Sequence, residues 1–266
     1  MLEADTIPTA FDADLDLIRD AAREAGEIAM RYFKQSPEVW WKEGQSPVSE
    51  ADYAVDKFLR ETLIAARPDY GWLSEETADN LDRLSAKRTF VVDPIDGTRA
   101  YIEGKATWCV SIGVVEDGRS IAGVLDCPVK NEIFEAALGG GARLNGHAIS
   151  VAPTRAEPAV GGPRPMIQSL DEADRRDFRP VTYVPSLAYR VAMVARGEID
   201  GTFVKPDSHD WDLAGADCIL HEAGGKVVDA TGEPLVYATA NSKHGALAAG
   251  SGPLLAKMTV ILAKFR

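Results

Sequence analysis

The stretch Val92-Asp93-Pro94-Ile95-Asp96-Gly97-Thr98 places two aspartates on either side of a proline and an isoleucine, followed directly by Gly-Thr. The fixed φ angle of Pro94 restricts the backbone between the acids, so that both carboxylates can converge on one point. Carboxylate oxygens are the ligands that hard cations such as Mg²⁺ prefer. The backbone N–H groups of Gly97 and Thr98 follow at once, and such groups can hold a phosphate. The stretch therefore predicts a site where a metal and a phosphate are in contact.

Two short apolar runs stop at acidic residues. Residues 71–74 precede Glu75-Glu76, and residues 89–92 precede Asp93. Such runs are typical of short buried strands, so each is predicted to present carboxylates at its carboxyl end. Taken alone, Glu75-Glu76 is more simply explained as a solvated turn.

Two further aspartates stand near predicted helix starts. Asp52 follows Ser49 at the S-x-x-D spacing of a capping box, and Asp212 follows Trp211 at the beginning of a helical pattern. Each has a purely structural explanation, as the reciprocal cap for Asp52 and as a first-turn acid that complements the helix dipole for Asp212. On the sequence pattern alone, both explanations stay open.

Composition and charge exclude several classes of protein. The 266 residues are 45% hydrophobic and 26% charged, which is typical of a folded globular protein and not of a disordered or fibrous chain. Lys and Arg number 29 and Asp and Glu 41, so the net charge is −12. A chain this acidic is not expected to bind a nucleic-acid polymer. Any phosphate must be held by local donors or metal cations.

The sequence also predicts a cytoplasmic protein without a membrane segment. No stretch approaches the roughly 18 apolar residues of a membrane span, and the first residues are acidic where a signal peptide is basic and then apolar. The cysteines Cys109, Cys127 and Cys218 are widely spaced, which favours neither a disulfide framework nor a zinc site. We expect each to be a small buried apolar residue.

Periodicity and turn residues predict helices alternating with strands and hairpins. Asp12 is expected to cap the first helix, and Asp117-Gly118 to form the tight turn of a hairpin. Predicted helices cover residues 11–32, a segment beginning at Ser49, 186–196, 211–222 and 254–265; predicted strands cover 71–74, 89–92, 109–115, 121–125, 131–137, 201–204 and 226–228. This order favours a layered α/β (α+β) fold. A Pro/Gly-rich segment, residues 154–180, divides it into an N-terminal half, 1–153, and a C-terminal half, 154–266, packed as one unit.

Several linked motifs resemble the inositol monophosphatase superfamily of Mg²⁺-dependent, lithium-sensitive phosphatases. Residues 92–98 resemble its first signature, and Trp211-Asp212-Leu213-Ala214 running to Glu222-Ala223-Gly224-Gly225 resembles its second. Ser74-Glu75-Glu76 and residues 46–52 fall in the family's order and approximate spacing. The resemblance implies the αβαβα sandwich of inositol monophosphatases and fructose-1,6-bisphosphatases, a small phosphomonoester substrate, and a homodimer.

Carried over to this chain, the resemblance implies two or three Mg²⁺ ions. Glu75, Asp93 and the Ile95 carbonyl would hold one ion, and Asp93, Asp96 and Asp212 a second. A water activated there would attack phosphorus.

The remaining implied roles concern protons and substrate. Glu75, Thr98 and Asp52 would accept the proton of the attacking water. The N–H groups of Gly97 and Thr98 would bind phosphoryl oxygens. The substrate contacts implied for the cleft comprise Asp96, Gly97, Thr98, Arg99, Ser186, Lys205 and Asp212.

Three departures from the inositol phosphatase pattern bear on the substrate. Arg99 follows the first signature, Lys205 stands where a hydroxyl-binding glutamate is usual, and Pro185-Ser186-Leu187 replaces Gly-Ser/Thr-Ala. The two cations favour a second anionic group on the substrate. A basic residue after the first signature looks more like bisphosphate nucleotidases or histidinol-phosphate phosphatases. The favoured prediction is a 3′(2′),5′-bisphosphate nucleotidase that converts adenosine 3′,5′-bisphosphate to AMP and phosphate.

Other functions stay open at this stage. Both cations are equally explained as solvated surface residues, which would leave an inositol-1-monophosphatase. A histidinol-phosphate phosphatase and a non-catalytic regulatory protein on the same scaffold are further alternatives.

Overall fold

The structure is a computed structural model that describes residues 9–42, 47–153 and 155–265. Ser46 of the predicted motif 46–52, the acidic residues 1–8 and the predicted boundary residue 154 lie outside the described residues. The helices are α1 (Asp12–Tyr32), α2 (Glu50–Ala66), α3 (Thr98–Ile102), α4 (Arg164–Ser169), α5 (Glu172–Arg176), α6 (Leu187–Ala195), α7 (Ala214–Glu222) and α8 (Gly252–Leu262). Short 3₁₀ turns cover Asp82–Ser85, Pro128–Lys130, Asp210–Asp212 and Ala263–Phe265.

The strands form two main sheets and two small pairs. They are β1 (Val39–Trp41), β2 (Pro47–Ser49), β3 (Gly71–Ser74), β4 (Arg88–Asp96), β5 (Cys109–Glu116), β6 (Arg119–Cys127), β7 (Glu132–Ala137), β8 (Ala142–Leu144), β9 (His147–Ala148), β10 (Ala159–Gly161), β11 (Arg179–Pro180), β12 (Gly201–Val204), β13 (Ser208–His209), β14 (Lys226–Asp229), β15 (Lys243–His244) and β16 (Leu247–Gly250). β1 pairs with β2, and β13 pairs with β15.

The first main sheet has seven strands in the order β3-β4-β5-β6-β7-β8-β9. Only the β3–β4 pair is parallel; the later neighbours are antiparallel. Asp117 and Gly118 join β5 to β6 with φ angles of 51° and 77°, which confirms the predicted tight turn.

The predicted end of β4 was wrong. β4 does not stop before Asp93 but continues to Asp96, and its register with β5 shifts between these two residues. Pro94 has no N–H to donate, so a regular ladder cannot continue through it. The two aspartates therefore lie on the irregular end of a strand and not in the loop beyond it.

The second main sheet has five strands in the order β11-β10-β12-β16-β14. β12 lies parallel to β10 and antiparallel to β16. The sequence predicted β12 and β14 but not β16, which lies between them.

Five layers result from the packing of helices on these sheets. α1 and α2 cover the outer face of the first sheet, where Ile18 and Leu59 pack with Phe90 and Val92. α6 and α7 fill the space between the sheets. Helix α8 covers the outer face of the second sheet, with Met258 in a buried cluster there. The αβαβα sandwich is thus confirmed.

Helix boundaries differ from the predictions in physically clear ways. Asp12 was predicted as the cap of α1 but is its first helical residue; its carboxylate accepts the Thr9 N–H at 2.8 Å. The capping box of Ser49 and Asp52 is confirmed. The predicted helix 211–222 is a 3₁₀ turn followed by α7.

In the described part of the chain, no helix has the length and apolarity to cross a membrane.

Candidate metal and phosphate site

Three carboxylates meet at the inner edge of the first sheet. Asp93 and Asp96 come from the irregular end of β4, and Asp212 comes from the 3₁₀ turn that precedes α7. Each offers a carboxylate oxygen within 4.8 Å of the others, and Asp93 and Asp96 are buried. The structure therefore brings together the three aspartates that the sequence assigned to one metal.

Electrostatics at this cluster favour a bound cation. Burial, followed by the charges of Glu75 and Asp96, raises the pKa of Asp93 well above its ordinary range. Burial and the neighbouring Asp96 raise the pKa of Asp212 to about 8, and burial raises that of Asp96 to about 6. A divalent cation would compensate these crowded charges. The donor set contains only oxygen, which fits Mg²⁺.

Backbone groups of the first signature, residues 92–98, form hydrogen bonds within the site. The Asp93 carboxylate accepts the Ile95 N–H at 3.0 Å, and the Ile95 carbonyl accepts the Thr98 hydroxyl at 3.1 Å. Gly97 has a φ angle of 96°, and a Cβ there would lie 3.0 Å from the Ser186 Cβ. Only glycine meets both the conformation and the close approach at this position.

Asp96 is held by the start of α6. Its carboxylate accepts hydrogen bonds from the Ser186 hydroxyl and from the N–H groups of Leu187 and Ala188, the latter two at 3.2 and 2.6 Å. Ser186, predicted as a substrate contact, is fully buried and directs its hydroxyl to Asp96. Sequence reasoning missed this helix-start contact, for which the capping serine before residues 187–195 was the available signal.

Two of the predicted proton acceptors, Thr98 and Asp52, contact each other. The Thr98 hydroxyl is 3.3 Å from an Asp52 carboxylate oxygen, and the other oxygen of Asp52 accepts the Ser49 N–H and hydroxyl at 2.8 and 2.6 Å. Burial raises the pKa of Asp52 to about 6. The structure therefore confirms that Asp52 caps α2 and shows that it also contacts Thr98, while its role as a proton acceptor stays a prediction.

Glu75 stands at the end of β3, as predicted. Its carboxylate lies 3.1 Å from the Lys42 ammonium, which is also 2.6 Å from Glu76. Burial and the charge of Glu75 raise the pKa of Glu76 to about 7. Glu76 belongs to the acidic pair that the sequence predicted at the end of this strand. Lys42, which contacts both acids, was not predicted; its place at the start of a polar stretch was the only available signal.

These residues open into a cleft of about 450 Å³ between the first sheet and α6. Among the predicted site residues, those that line the cleft are Glu75, Asp93, Asp96, Gly97, Thr98, Arg99, Lys205 and Asp212. Asp52 and Ser186 are buried behind this lining.

Tyr183 and Arg190 also line the cleft, and the sequence predicted neither of them as a site residue. Tyr183 is 41% exposed and lines the cleft. The Arg190 guanidinium lies 5.5 Å from the centre of the Tyr183 ring. Arg190 itself is buried, donating to the Val184 carbonyl at 2.7 Å and to the Thr202 hydroxyl at 3.3 Å.

Known proteins are similar to this chain in sequence and in fold. A model of the inositol monophosphatase family matches residues 13–261. An inositol monophosphatase from Dictyostelium discoideum is 30% identical over 236 residues, which cover 84% of this chain and 86% of that protein. A histidinol-phosphatase from Chlorobaculum parvum is also 30% identical, covering 82% of this chain and 86% of that protein. The solved structure of an inositol monophosphatase from Thermotoga maritima has a TM-score of 0.83 at 26% identity, covering 95% of this chain and 97% of that one.

Fold and sequence together define an enzyme that acts on phosphomonoesters. The chain belongs to the inositol monophosphatase family.

Proposed function

We propose that the cleft hydrolyses a small phosphomonoester with Mg²⁺ held by Asp93, Asp96, Asp212, Glu75 and the Ile95 carbonyl. The observation that carries this proposal is the convergence of three carboxylates, within 4.8 Å, from two separate parts of the chain. When bound, Mg²⁺ supplies charge neutralisation at the phosphoryl group and lowers the pKa of a water molecule.

The chain's own residues supply orientation and proton transfer. Thr98 sits between Asp52 and the Ile95 carbonyl, so that its hydroxyl can orient a water and pass a proton to the Asp52 carboxylate. The N–H groups of Gly97 and Thr98 border the same cleft and are proposed to bind phosphoryl oxygens. Ser186 acts indirectly, by fixing the Asp96 carboxylate.

For the substrate, we propose a phosphomonoester with a second anionic group, represented by adenosine 3′,5′-bisphosphate. The support is that Lys205 and Arg99 both line the cleft that contains the acidic cluster. A charge-assisted contact to each cation would favour the bisphosphate over a neutral polyol phosphate.

Histidinol phosphate is the second candidate. Asp207 lines the same cleft, close in sequence to Lys205, and a carboxylate there favours a substrate that carries an amine. The similarity to a histidinol-phosphatase supports the same candidate. Inositol 1-phosphate remains the alternative if neither group of charges contacts the substrate.

Other properties stay predictions of the sequence. They are the cytoplasmic location, the homodimer, lithium sensitivity, and the division into residues 1–153 and 154–266.

The test of substrate choice is a set of kcat/KM values for adenosine 3′,5′-bisphosphate, histidinol phosphate, inositol 1-phosphate and fructose 1,6-bisphosphate. We expect kcat/KM for adenosine 3′,5′-bisphosphate to exceed that for inositol 1-phosphate by about ten- to a hundredfold, because one charge-assisted contact has about that effect. Lys205→Glu should narrow or reverse this preference. Preference for inositol 1-phosphate, unchanged in Lys205→Glu, would overturn the substrate proposal. Absence of phosphate release from all four, with Mg²⁺ binding intact, would indicate a regulatory protein instead.

A further inference from the structure

An aromatic side chain of the cleft has no part in the proposed hydrolysis. Tyr183 lies in the loop between β11 and α6, and 41% of its surface is exposed. It lines the cleft that also contains Asp93, Asp96 and Asp212. The three aspartates and the N–H groups of Gly97 and Thr98 suffice for the phosphoryl group, so the ring is available to another part of the substrate.

The ring is supported from one side. The Arg190 guanidinium lies 5.5 Å from the ring centre, and Arg190 is only 4% exposed. The guanidinium donates to the Val184 carbonyl at 2.7 Å and to the Thr202 hydroxyl at 3.3 Å, and it is also hydrogen-bonded to the Tyr183 side chain. Because the guanidinium is anchored in the protein, the Tyr183 ring is pre-organised and loses little freedom when a ligand contacts its exposed surface.

Several apolar side chains line the same cleft as Tyr183. Pro163, Pro185 and Leu187 line it together with Tyr183. A polyol, which has a hydroxyl group on every carbon, would leave those groups unpaired against such a surface. A planar ring would bury apolar area there and stack on the tyrosine.

We infer that Tyr183 is the stacking surface for a planar heteroaromatic ring in the leaving group, so that the substrate class is a phosphomonoester bearing such a ring. This inference rests on the proposed phosphatase function of the cleft. A nucleobase and an imidazole share the required chemistry, and the experiment distinguishes them.

The first experiment compares wild type with Tyr183→Phe and Tyr183→Leu on adenosine 3′,5′-bisphosphate, histidinol phosphate and inositol 1-phosphate. Leucine keeps an apolar side chain but removes the ring, so kcat/KM for the ring-bearing substrate should fall by about ten- to a hundredfold, mainly through KM. Phenylalanine keeps the ring and should retain at least half of the wild-type value. Inositol 1-phosphate should be unaffected by either change. The ring-bearing substrate that shows the loss identifies the ring as nucleobase or imidazole.

A second experiment measures binding without turnover. AMP and ribose 5-phosphate share a ribose 5-phosphate moiety, and AMP adds a base, so their Kd values in the presence of Mg²⁺ can be compared by calorimetry. If the ring is a nucleobase, wild type should bind AMP at least tenfold more tightly, and Tyr183→Leu should abolish that difference. If it is an imidazole, the same comparison is made with histidinol and a short amino alcohol that lacks the ring.

The outcomes separate this inference from the function on which it rests. If wild type hydrolyses none of the phosphomonoesters, the proposed function fails. If it hydrolyses them and Tyr183→Leu lowers kcat/KM for no substrate, or for all substrates equally, only the inference is overturned.

Discussion

The two walls of the cleft are built in different ways. The acidic wall takes Asp93, Asp96 and Thr98 from a single stretch of β4 and the start of α3, with Glu75 directly after the neighbouring strand β3. The other wall, called the substrate wall, assembles Tyr183, Arg190 and Lys205 from the loop before α6, from α6 itself and from the residue after β12. Local sequence therefore places most of the first wall, to which packing adds Asp212 from the turn before α7, whereas the second wall exists only once separate segments have packed together.

This difference suggests that one wall binds the metal and the other determines substrate preference. Asp93 and Asp96 of the acidic wall are buried and accept backbone N–H groups at 3.0 and 2.6 Å, as expected of groups that must keep the geometry of a metal site. The substrate wall contains the exposed ring of Tyr183 and the exposed Lys205. Changes on the acidic wall should abolish turnover of every substrate, and changes on the substrate wall should alter the preference among substrates.

The largest effect is expected for Asp93→Asn. Asp93 is the central carboxylate of the cluster, and the amide removes the charge that would hold the cation. We expect kcat to fall by about a thousandfold or more for every phosphomonoester, because transition-state charge would no longer be neutralised. Asp20→Asn, which changes an exposed carboxylate on α1, serves as the control for the loss of a negative charge. Near-normal turnover by Asp93→Asn at saturating Mg²⁺ would contradict the assignment of the acidic wall.

Ser186 provides a smaller effect that tests to which wall it belongs. In the structure its hydroxyl donates to Asp96, whereas the sequence indicated a substrate contact. Ser186→Ala should therefore weaken Mg²⁺ binding by about tenfold, the value of a charge-assisted hydrogen bond. Ser186→Thr should retain the hydrogen bond and most of the affinity. A rise in substrate KM with unchanged Mg²⁺ affinity would show that Ser186 contacts the substrate, as the sequence indicated.

The sequence predicts best those regions that are built from neighbouring residues. The aspartates of β4 and the hairpin with Asp117-Gly118 were predictable, because proline, glycine and aspartate carry local conformational signals. The strand Leu247–Gly250 was missed because Leu-Ala-Ala-Gly has weak β propensity; its place between β12 and β14 comes from tertiary packing.

The substrate wall shows the same limit. Lys205 and Arg99 were noticed as departures from a family pattern, and both do line the cleft. Arg190 was not predicted, because an arginine inside an apolar helix gives no local sign of whether it faces solvent or a buried carbonyl. Only the packed structure shows that it supports Tyr183.

The smallest effect concerns the stability of the metal-free protein as pH changes. Asp212 has an ordinary pKa of 3.8, and burial with the charge of Asp96 raises its pKa in the folded protein to about 8. Between these values the folded state binds more protons than the unfolded state, so the free energy of unfolding decreases as pH rises. With EDTA, Tm should fall by several degrees between pH 5 and pH 8, and Mg²⁺ should restore more stability at pH 8 than at pH 5, because a bound cation compensates the ionised carboxylates. Asp212→Asn cannot ionise and should show a shallower decrease, whereas Asp20→Asn should follow wild type. An unchanged slope in Asp212→Asn, measured by thermal unfolding, would show that the buried cluster does not control the pH response, and would weaken the electrostatic argument for a cation at the acidic wall.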